Sequence, residues 1–323
     1  MRIAVAGSIA TDHLMSFEGR FAEQIIPEQI QQLSLSFLID ELDVRRGGVA
    51  ANICFGMGRF GLEPVLVGAA GADFEDYRAW LERHGVDTSS VYISELRHTA
   101  RFICTTDRDQ NQIASFYAGA MAEARNIELQ PISERVGGLD LVLVGADDPE
   151  AMVRHSEECR TRGIAFAADP SQQLARMEGE KVRTLIEGAS FLFTNEYEKA
   201  LAEQKTGWSD REVLSRVGTR ITTLGAKGAR IDRRDEPSVH VPAAVVGEAV
   251  DPTGMGDAFR AGFLAAHSWG LALERAAQVG NATAVHCLEA DGPQEYTLTS
   301  ESLLERLEKS YGAEARAEVE PFV

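Results

Sequence analysis

The amino-acid sequence predicts an α/β fold, with a mostly parallel central sheet covered by helices on both faces and a small β-sheet lid. Two observations predict this fold. Short apolar runs, rich in Val, Ile, Leu and Phe, alternate with helical stretches along most of the chain, as in strands that are buried on both faces of a sheet. Two segments in the first part of the chain lie outside this series and read instead as a smaller β layer.

The strands of the main sheet are predicted at five apolar runs, which are residues 65–67, 141–144, 164–167, 191–193 and 220–224. The helices between them show clear end signals. One helix begins at Pro149 and ends before Gly163, and another runs from Asp73 to His84 and ends before Gly85. Proline fits the first turn of a helix, and glycine adopts the left-handed backbone that closes one. This alternation predicts parallel strands joined by helical crossovers.

The smaller layer is predicted to be antiparallel. Residues 33–38 alternate with period two, and residues 99–107 and 112–117 predict a hairpin that turns at 107–110. Ligands bind at the carboxyl ends of the strands in open α/β sheets, so we expect this layer to lie there as a lid. We therefore expect one functional unit, residues 1–323, with a core of residues 1–10, 47–96 and 119–323 and a lid of residues 11–46 and 97–118.

Composition excludes several classes of partner. The chain has 323 residues, a net charge of −18 at pH 7 and no cluster of Lys and Arg, which excludes nucleic acid and anionic membranes. The start lacks the apolar core of a signal peptide, and no apolar run approaches the roughly 18 residues of a membrane span, so we expect a cytoplasmic protein. The histidines show no metal-type spacing. The four scattered cysteines indicate buried thiols rather than a disulfide framework or a zinc site: Cys54, Cys104, Cys159 and Cys287.

Two common nucleotide-binding motifs are excluded. Residues 56–61 match Gly-x-Gly-x-x-Gly, but a dinucleotide site needs a strand immediately before the motif. Residues 52–55 instead continue a helix that begins near Gly48 and ends at Gly61, so these glycines are interpreted as points of close helix packing. The chain also lacks Gly-x-x-x-x-Gly-Lys-Ser/Thr, which excludes a P-loop.

The segment of residues 251–264 carries the strongest chemical signal. Gly254 and Gly256 lead into an apolar helix, and the free N–H groups and positive dipole end of such a helix suit a transferring phosphoryl group. Asp257 would repel a phosphate, so its presence makes sense if it accepts the proton of an attacking hydroxyl. The alternative is an acidic residue that only favours the helix N-terminus. Spacing alone leaves both interpretations open.

Two motifs in the correct order resemble the signatures of a known family. Asp-x-Thr-Gly-x-Gly-Asp at residues 251–257 and Gly-Gly-Val-Ala-Ala-Asn at residues 47–52 resemble those of the ribokinase family, also called the PfkB carbohydrate and nucleoside kinases. The resemblance continues through residues 7–12, 195–198 and 223–228 and covers essentially the whole chain. Within the family the likeness is closest to the adenosine kinases of actinomycete bacteria. It implies a ribokinase-like three-layer α/β/α sandwich with a β-sheet lid.

The resemblance implies which residues transfer the phosphoryl group. Asp257 resembles the catalytic base, and the backbone of the three preceding residues resembles the anion hole: Gly254, Met255 and Gly256. Met255 departs from the family pattern, which usually has alanine there. Asn195 and Glu198 match the family's Asn-x-x-Glu, which helps to place Mg²⁺ through its waters, although Asn195 also suits a helix cap. The loop that receives ATP is implied at Thr223, Gly225 and Gly228, where a plain β-turn is the alternative.

The resemblance also implies an acceptor site. Four residues match positions that hold ribose hydroxyls, for which carboxylate and amide groups are suited: Ser8, Asp12, Gly48 and Asn52. Phe102 and Phe116, on the two arms of the hairpin, resemble an aromatic pair that sandwiches adenine, with the lid core as their alternative role. Gln172 and Gln173 resemble side chains near the base, and Ser36 would join them from the lid.

The sequence therefore predicts phosphorylation of the 5′-hydroxyl of adenosine by ATP and Mg²⁺. A sugar kinase of the same family is the first alternative, although a polyhydroxyl sugar does not need a flat apolar slot edged by amides. A nucleoside-binding regulator without catalysis is the second, which the intact carboxylates of Glu198 and Asp257 disfavour. Members of the family commonly respond to potassium. Residues 33–39 would leave an apolar lid edge, so we expect a homodimer through the lid.

Overall fold

Two β-sheets organise the chain. The computed structural model describes residues 1–26, 31–32 and 34–323. The strands in chain order are β1 (Ile3–Ala6), β2 (Ala10–Phe17), β3 (Glu41–Gly47), β4 (Val65–Gly71), β5 (Val91–Ser94), β6 (Ala100–Asp107), β7 (Gln112–Tyr117), β8 (Leu141–Val144), β9 (Ala165–Ala168), β10 (Phe191–Asn195), β11 (Thr219–Thr223), β12 (Ala229–Asp232) and β13 (Val239–Val241). A nine-stranded sheet has the order β13-β12-β11-β10-β9-β8-β1-β4-β5, and a four-stranded sheet has the order β3-β2-β6-β7.

The helices are α1 (Phe21–Gln24), α2 (Val49–Gly58), α3 (Glu75–Arg83), α4 (Leu129–Val136), α5 (Pro149–Arg162), α6 (Gly179–Ile186), α7 (Glu196–Thr206), α8 (Asp210–Leu214), α9 (Met255–Ser268), α10 (Leu273–Leu288), α11 (Ser300–Tyr311) and α12 (Ala313–Val319). All strands of the large sheet pair in parallel from β5 to β11, and β12 and β13 add antiparallel pairs at one edge. The sheet is therefore mostly parallel, as the sequence predicts.

The large sheet separates two apolar cores. Along β1, Ile3 and Val5 pack into a core shared with α2, α9 and α10. Ala4 and Ala6 point to the opposite face and pack into a second core shared with α5 and α6. Successive residues of a strand face opposite sides, so a buried strand needs apolar residues throughout. The chain forms a three-layer α/β/α sandwich with a β-sheet lid, and the predicted fold class is confirmed.

Local end signals predict several helices correctly. Helix α5 runs from Pro149 to Arg162, the Asp148 carboxylate accepts N–H groups of its first turn, and Gly163 closes it with φ of 68°. The Gly-x-Gly-x-x-Gly match lies in and just after α2. A Cβ on Gly56 would lie 2.5 Å from the Cβ of Ala261 on α9. The interpretation of these glycines as helix-packing residues is confirmed.

The lid differs from the predicted antiparallel layer in two ways. Strands β2 and β6 pair in parallel, and each carries an antiparallel partner on its other side, β3 and β7. The strand predicted at residues 33–38 is wrong: residues 34–39 have no regular structure, and Leu33 lies outside the described residues. Residues 41–47 form the strand instead, because they occupy the free edge of β2 through seven register pairs. The hairpin of β6 and β7 lies where it was predicted.

All four cysteines are free and buried, as predicted. In the part of the chain that the structure describes, no helix is long and apolar enough to cross a membrane.

Candidate active site

A cavity of about 890 Å³ lies between the lid and the carboxyl ends of β1, β8 and β9. It is lined by eight of the nine residues predicted for the acceptor site: Ser8, Asp12, Gly48, Asn52, Phe102, Phe116, Gln172 and Gln173. Asp257, the predicted base, lines the same cavity. Residues from distant parts of the sequence thus meet at the place where open α/β sheets bind ligands. Ser36 is the exception: it is exposed and does not line the cavity, because the segment that carries it does not join the lid sheet.

The lid turns one face of its sheet towards the cavity. Asp12, Phe102 and Phe116 occupy one row across β2, β6 and β7, since they are register partners, and all three line the cavity. Directly opposed residues in a sheet point to the same side. The two phenylalanines are therefore neighbours on one wall of the cavity.

A chain of hydrogen bonds fixes the amide beside Asp257. The Trp80 Nε1 donates to Gln294 Oε1 at 3.1 Å, Gln294 Nε2 donates to Asn52 Oδ1 at 2.9 Å, and Asn52 Nδ2 donates to Asp257 Oδ2 at 2.8 Å. An indole nitrogen can only donate, so the orientation of both amides follows from Trp80. The chain ends in a donor aimed at the carboxylate, which favours the ionised form of Asp257.

Gln294 and Trp80 were not predicted, because nothing in their local sequence marks them. Gln294 lies 242 positions from Asn52, and its Nε2 also contacts the hydroxyl of Tyr77 on α3, which in turn donates to the carbonyl of Gly47. Only the packing of α2, α3 and the segment after α10 brings them together.

The start of α9 forms an open anion site. Gly254 has φ of 80°, and a Cβ there would overlap the Pro293 side chain, so only glycine fits this turn. Of the three residues predicted for the anion hole, Met255 donates its backbone N–H to the Pro252 carbonyl at 3.4 Å. The backbone N–H groups of Gly254 and Gly256, and that of Asp257 beside them, have no acceptor among the described residues. Free N–H groups at the first turn of a 14-residue helix, together with its dipole, attract anions.

The surroundings of Asp257 adjust its proton affinity. Burial raises the pKa of this carboxyl to about 7, against the hydrogen bond from Asn52 and the positive charge of Arg260, which lower it, while Asp169 and Glu198 raise it further. A carboxyl with a pKa near neutrality can take up a proton and release it again at the working pH of a cell.

The hydroxyl-binding side of the cavity is built on β1, β2 and the start of α2. The Ser8 Oγ accepts the N–H of Val49 at 3.0 Å, so its own proton remains to be donated. Burial raises the pKa of Asp12, against the charge of Arg45, which lowers it. Gly48 has φ of 95°, and a Cβ there would lie 2.6 Å from the backbone of Ser8. Only glycine therefore fits at position 48, where the backbone lies against that of Ser8.

The two glutamines differ in their surroundings. Gln172 is exposed, and its carbonyl oxygen accepts a hydrogen bond from Ser171 at 2.6 Å. Gln173 is only 7% exposed, and its Oε1 has no partner within the described part of the chain. A buried amide oxygen without a partner is costly, so Gln173 is the better placed of the two to bind a ligand group.

The residues predicted for ATP and Mg²⁺ lie at the same sheet edge but outside this cavity. Asn195 and Thr223 are register partners at the ends of β10 and β11, and the loop after β11 contains Gly225 and Gly228, with φ of 58° and 95°. The capping role of Asn195 is confirmed: its Oδ1 accepts the N–H of Glu198 at 2.8 Å, and Glu198 Oε2 accepts the N–H of Asn195 at 2.8 Å.

This capping pair fits a metal held through water. Glu198 uses one carboxylate oxygen in the cap, which leaves the other free, and burial raises its pKa. The described residues contain no group of three His, Cys, Asp or Glu side chains that could hold a metal directly. Magnesium prefers one or two carboxylates and several waters, so a single free carboxylate oxygen suits it.

Several cavity residues were not predicted. Arg45, on β3, reaches from the lid to the core, where its Nη1 lies 3.1 Å from Asp251 Oδ2 and 2.9 Å from Asp291 Oδ1. Arg176 lines the cavity just after the two glutamines. Arg45 lies two residues before the Gly-Gly motif and Asp251 begins the second motif, so closeness to a motif was the signal available. The first ion pair joins the lid to the loop before α9, and the second joins it to the segment after α10.

Comparison with known proteins agrees with this geometry. The model of the pfkB family carbohydrate kinases matches residues 22–300. A nucleoside kinase of Methanocaldococcus jannaschii is 31% identical over 95% of this chain and 97% of its own. The nucleoside kinase of Burkholderia thailandensis in complex with inosine is 33% identical, with a TM-score of 0.84 over 96% of this chain and 99% of that chain.

A second structure of the Burkholderia thailandensis nucleoside kinase, in complex with ADP-inosine, is 35% identical, with a TM-score of 0.81 over 96% of both chains. A more distant relative is a ribokinase of Haemophilus influenzae, which is 22% identical over 95% of this chain and 98% of its own.

Proposed function

The chain belongs to the pfkB family of carbohydrate kinases, and from this premise we propose that it transfers the terminal phosphoryl group of ATP to the 5′-hydroxyl of a purine nucleoside. Adenosine is the acceptor that the sequence predicts, and inosine is the nucleoside bound by a relative of 33% identity. The reaction would place the enzyme in purine salvage, with a nucleoside monophosphate and ADP as products.

One observation carries this proposal: a single cavity combines a hydroxyl-binding end, an apolar wall and a base. Asp12, Ser8 and Asn52 supply donors and acceptors for sugar hydroxyls, and Phe102 with Phe116 supplies an apolar surface. A volume of about 890 Å³ is within the range of small-molecule sites and has room for more than a single sugar ring.

In the proposed mechanism Asp257 accepts the proton of the 5′-hydroxyl as the oxygen attacks the phosphorus. The free N–H groups of Gly256 and Asp257 receive the charge that develops on the transferring group. Mg²⁺, held by Glu198 through water, would neutralise charge on the phosphates. The lid excludes water, which limits transfer of the phosphoryl group to water.

Gln173 supports a purine acceptor without selecting between adenine and hypoxanthine. A glutamine amide can donate from its nitrogen and accept with its oxygen. Rotation of the Gln173 amide by half a turn exchanges its nitrogen and its oxygen. The same side chain can therefore pair with an amino group or with a carbonyl on the purine edge. We therefore expect adenosine and inosine to be accepted with similar efficiency.

The proposal is tested by the release of ADP with adenosine, inosine, ribose and fructose as acceptors, followed by ³¹P and ¹H NMR of the product. We expect 5′-phosphorylated nucleosides and little sugar phosphate. The alternative, a sugar kinase, is consistent with the ribokinase relative. It would give sugar phosphate and little phosphorylated nucleoside. Binding of nucleosides without ADP release would indicate the catalytically inactive regulator. Replacement of KCl by NaCl in the same assay tests the response to potassium that the family implies.

A homodimer through the lid forms a further part of the proposal. The outer face of the lid sheet carries four exposed apolar residues, Leu42, Val44, Ile113 and Tyr117, which are 59%, 52%, 47% and 44% exposed. The register places them on the face opposite the cavity. An apolar sheet face of this kind favours association, and a second copy with a two-fold axis would cover it. The contact we propose is this face, rather than the edge predicted at residues 33–39.

A further inference from the structure

Arg260 and Asp169 form a buried ion pair directly behind the anion site. Arg260 lies on α9, three residues after Asp257, and Asp169 follows the end of β9. The two residues are 5% and 0% exposed. Arg260 Nη2 donates to Asp169 Oδ1 at 2.6 Å, and its Nε lies 2.5 Å from Oδ2. The first contact is a hydrogen bond, whereas the second is a close ionic contact, since Nε and Oδ2 have no hydrogen-bond partner among the described residues. Together the two contacts restrict the orientation of the guanidinium group.

The third nitrogen of the guanidinium holds the anion site. Arg260 Nη1 donates to the carbonyl oxygen of Gly256 at 2.9 Å. The peptide that joins Gly256 to Asp257 is planar, with its C=O and N–H on opposite sides. A guanidinium that holds this oxygen therefore also sets the direction of the Asp257 N–H, which has no acceptor among the described residues.

The position of Gly256 fits this arrangement. A Cβ on Gly256 would lie 3.0 Å from Arg260 Nη1, so a side chain there would press on the guanidinium. Asp169 also begins the turn that leads to Gln172 and Gln173. The ion pair thus connects the segment that faces the base to the helix turn that faces the phosphoryl group.

We infer that Arg260 and Asp169 act as a positioning pair for phosphoryl transfer, in which Asp169 fixes the guanidinium and the guanidinium aims the anion-site N–H and Asp257. This inference rests on the proposed kinase function. A buried pair of this kind is expensive to desolvate and contributes little net stability, so its placement against a reacting backbone indicates a role beyond holding the fold.

The pair also sets the charge around the base. The groups near Asp257 are Arg260 on its own helix, Asp169 after β9 and Glu198 on α7, together with the neutral thiol of Cys287 and phenol of Tyr296. The positive charge of Arg260 lowers the pKa of Asp257, and the negative charge of Asp169 raises it. The two members of the pair therefore act on the base with opposite sign.

The test is the pH profile of kcat/KM for Arg260→Met and Asp169→Asn. We expect kcat to fall on the order of 100-fold in each, the size of effect seen for misplacement of a catalytic group, with little change in nucleoside affinity by calorimetry. The acidic limb of this profile is the pH range in which activity rises as Asp257 loses its proton. It should move to higher pH in Arg260→Met and to lower pH in Asp169→Asn. Shifts in the same direction, or normal kcat in both, would overturn the inference.

Two further variants separate positioning from folding. Arg260→Lys keeps the charge but has a single nitrogen, which cannot reproduce the separate hydrogen bonds of the guanidinium to Asp169 and to the Gly256 carbonyl. We therefore expect the acidic limb of the pH profile near its wild-type pH and a reduced kcat. Arg220 is a second buried arginine, paired with Asp232 at 2.9 Å on β12, and serves as the matched control. Arg220→Met should lower thermal stability and leave the limb in place. If Arg220→Met shifted the acidic limb as far as Arg260→Met does, the shift would be explained by a general loss of structure.

The wild-type protein is measured first, with nucleosides and with sugars. If it phosphorylates no nucleoside but accepts a sugar, the proposed acceptor is wrong, and the four variants are then compared with that sugar. The positioning role of Arg260 and Asp169 is refuted only by the results for the variants. Failure of the proposed acceptor and failure of the positioning role are therefore distinguishable.

Discussion

Replacement of Asn52 by alanine should move the acidic limb of the reaction to higher pH. The Asn52 amide donates to Asp257 at 2.8 Å, and this bond lowers the pKa of a carboxyl that burial raises to about 7. A hydrogen bond to a charged group is worth about 1.5–3 kcal/mol. At about 1.4 kcal/mol per pKa unit, its loss corresponds to about one to two units.

This shift converts into a rate. At pH 7 about half of the wild-type Asp257 is ionised, given a pKa of about 7. After a rise of about one to two units, the ionised fraction at pH 7 falls to roughly a tenth to a hundredth. The value of kcat/KM at pH 7 should therefore fall about 5- to 50-fold, and most of this loss should be recovered at pH 10.

The assay is ADP release at limiting nucleoside from pH 5 to pH 10, since kcat/KM reports the ionisation of the free enzyme. Asn52 also faces the hydroxyl-binding end of the cavity, so KM will rise at every pH, but only the loss of the bond to Asp257 moves the midpoint. Gln172→Ala is the control, because Gln172 lines the same cavity without a bond to Asp257. An unchanged midpoint in Asn52→Ala would refute the reasoning.

Three other changes test the turn at Gly48, the ion pairs of the lid and its outer face. Gly48→Ala forces a side chain onto a backbone with φ of 95° and ψ of 132°, within 2.6 Å of the Ser8 backbone, so urea unfolding should show a loss of about 1–3 kcal/mol. Gly137→Ala is the comparison and should cost less, because Gly137 has φ of 76° and ψ of 25°, in the left-handed helical region, with open space around it. Arg45→Ala removes the ion pairs between lid and core and should raise KM for the nucleoside with little change in the midpoint of the pH profile; an unchanged KM would show that the lid closes without them. Val44→Asp on the outer lid face should reduce self-association in light scattering, and an unaltered mass would remove that face as the dimer contact.

Local signals predict the parts of this protein that depend on neighbouring residues. The bounds of α5 follow from Pro149 and Gly163, and the open turn before α9 follows from Gly254 and Gly256. Both depend on backbone conformations that proline and glycine favour, wherever the rest of the chain lies. The meeting of eight predicted residues in one cavity follows from family motifs that the fold brings to one sheet edge.

Other features depend on pairing between distant segments. Residues 33–37 and 41–45 both alternate apolar and polar residues, and only the free edge of β2 decides that residues 41–47 become the strand. The Phe102–Phe116 pair forms one wall because of its register in the hairpin. Gln294 reaches Asn52 through packing across the sandwich. Such choices depend on long-range contacts that a local pattern does not contain.

The assignment of Asp257 as the base is the central claim, and the turnover of Asp257→Asn tests it most directly. Asparagine keeps the shape of the side chain and cannot take up the proton. Calorimetry should show nucleoside binding close to wild type, while kcat falls roughly 100- to 10,000-fold, the range that a general base supplies. Normal turnover in Asp257→Asn, with binding intact, would contradict the account.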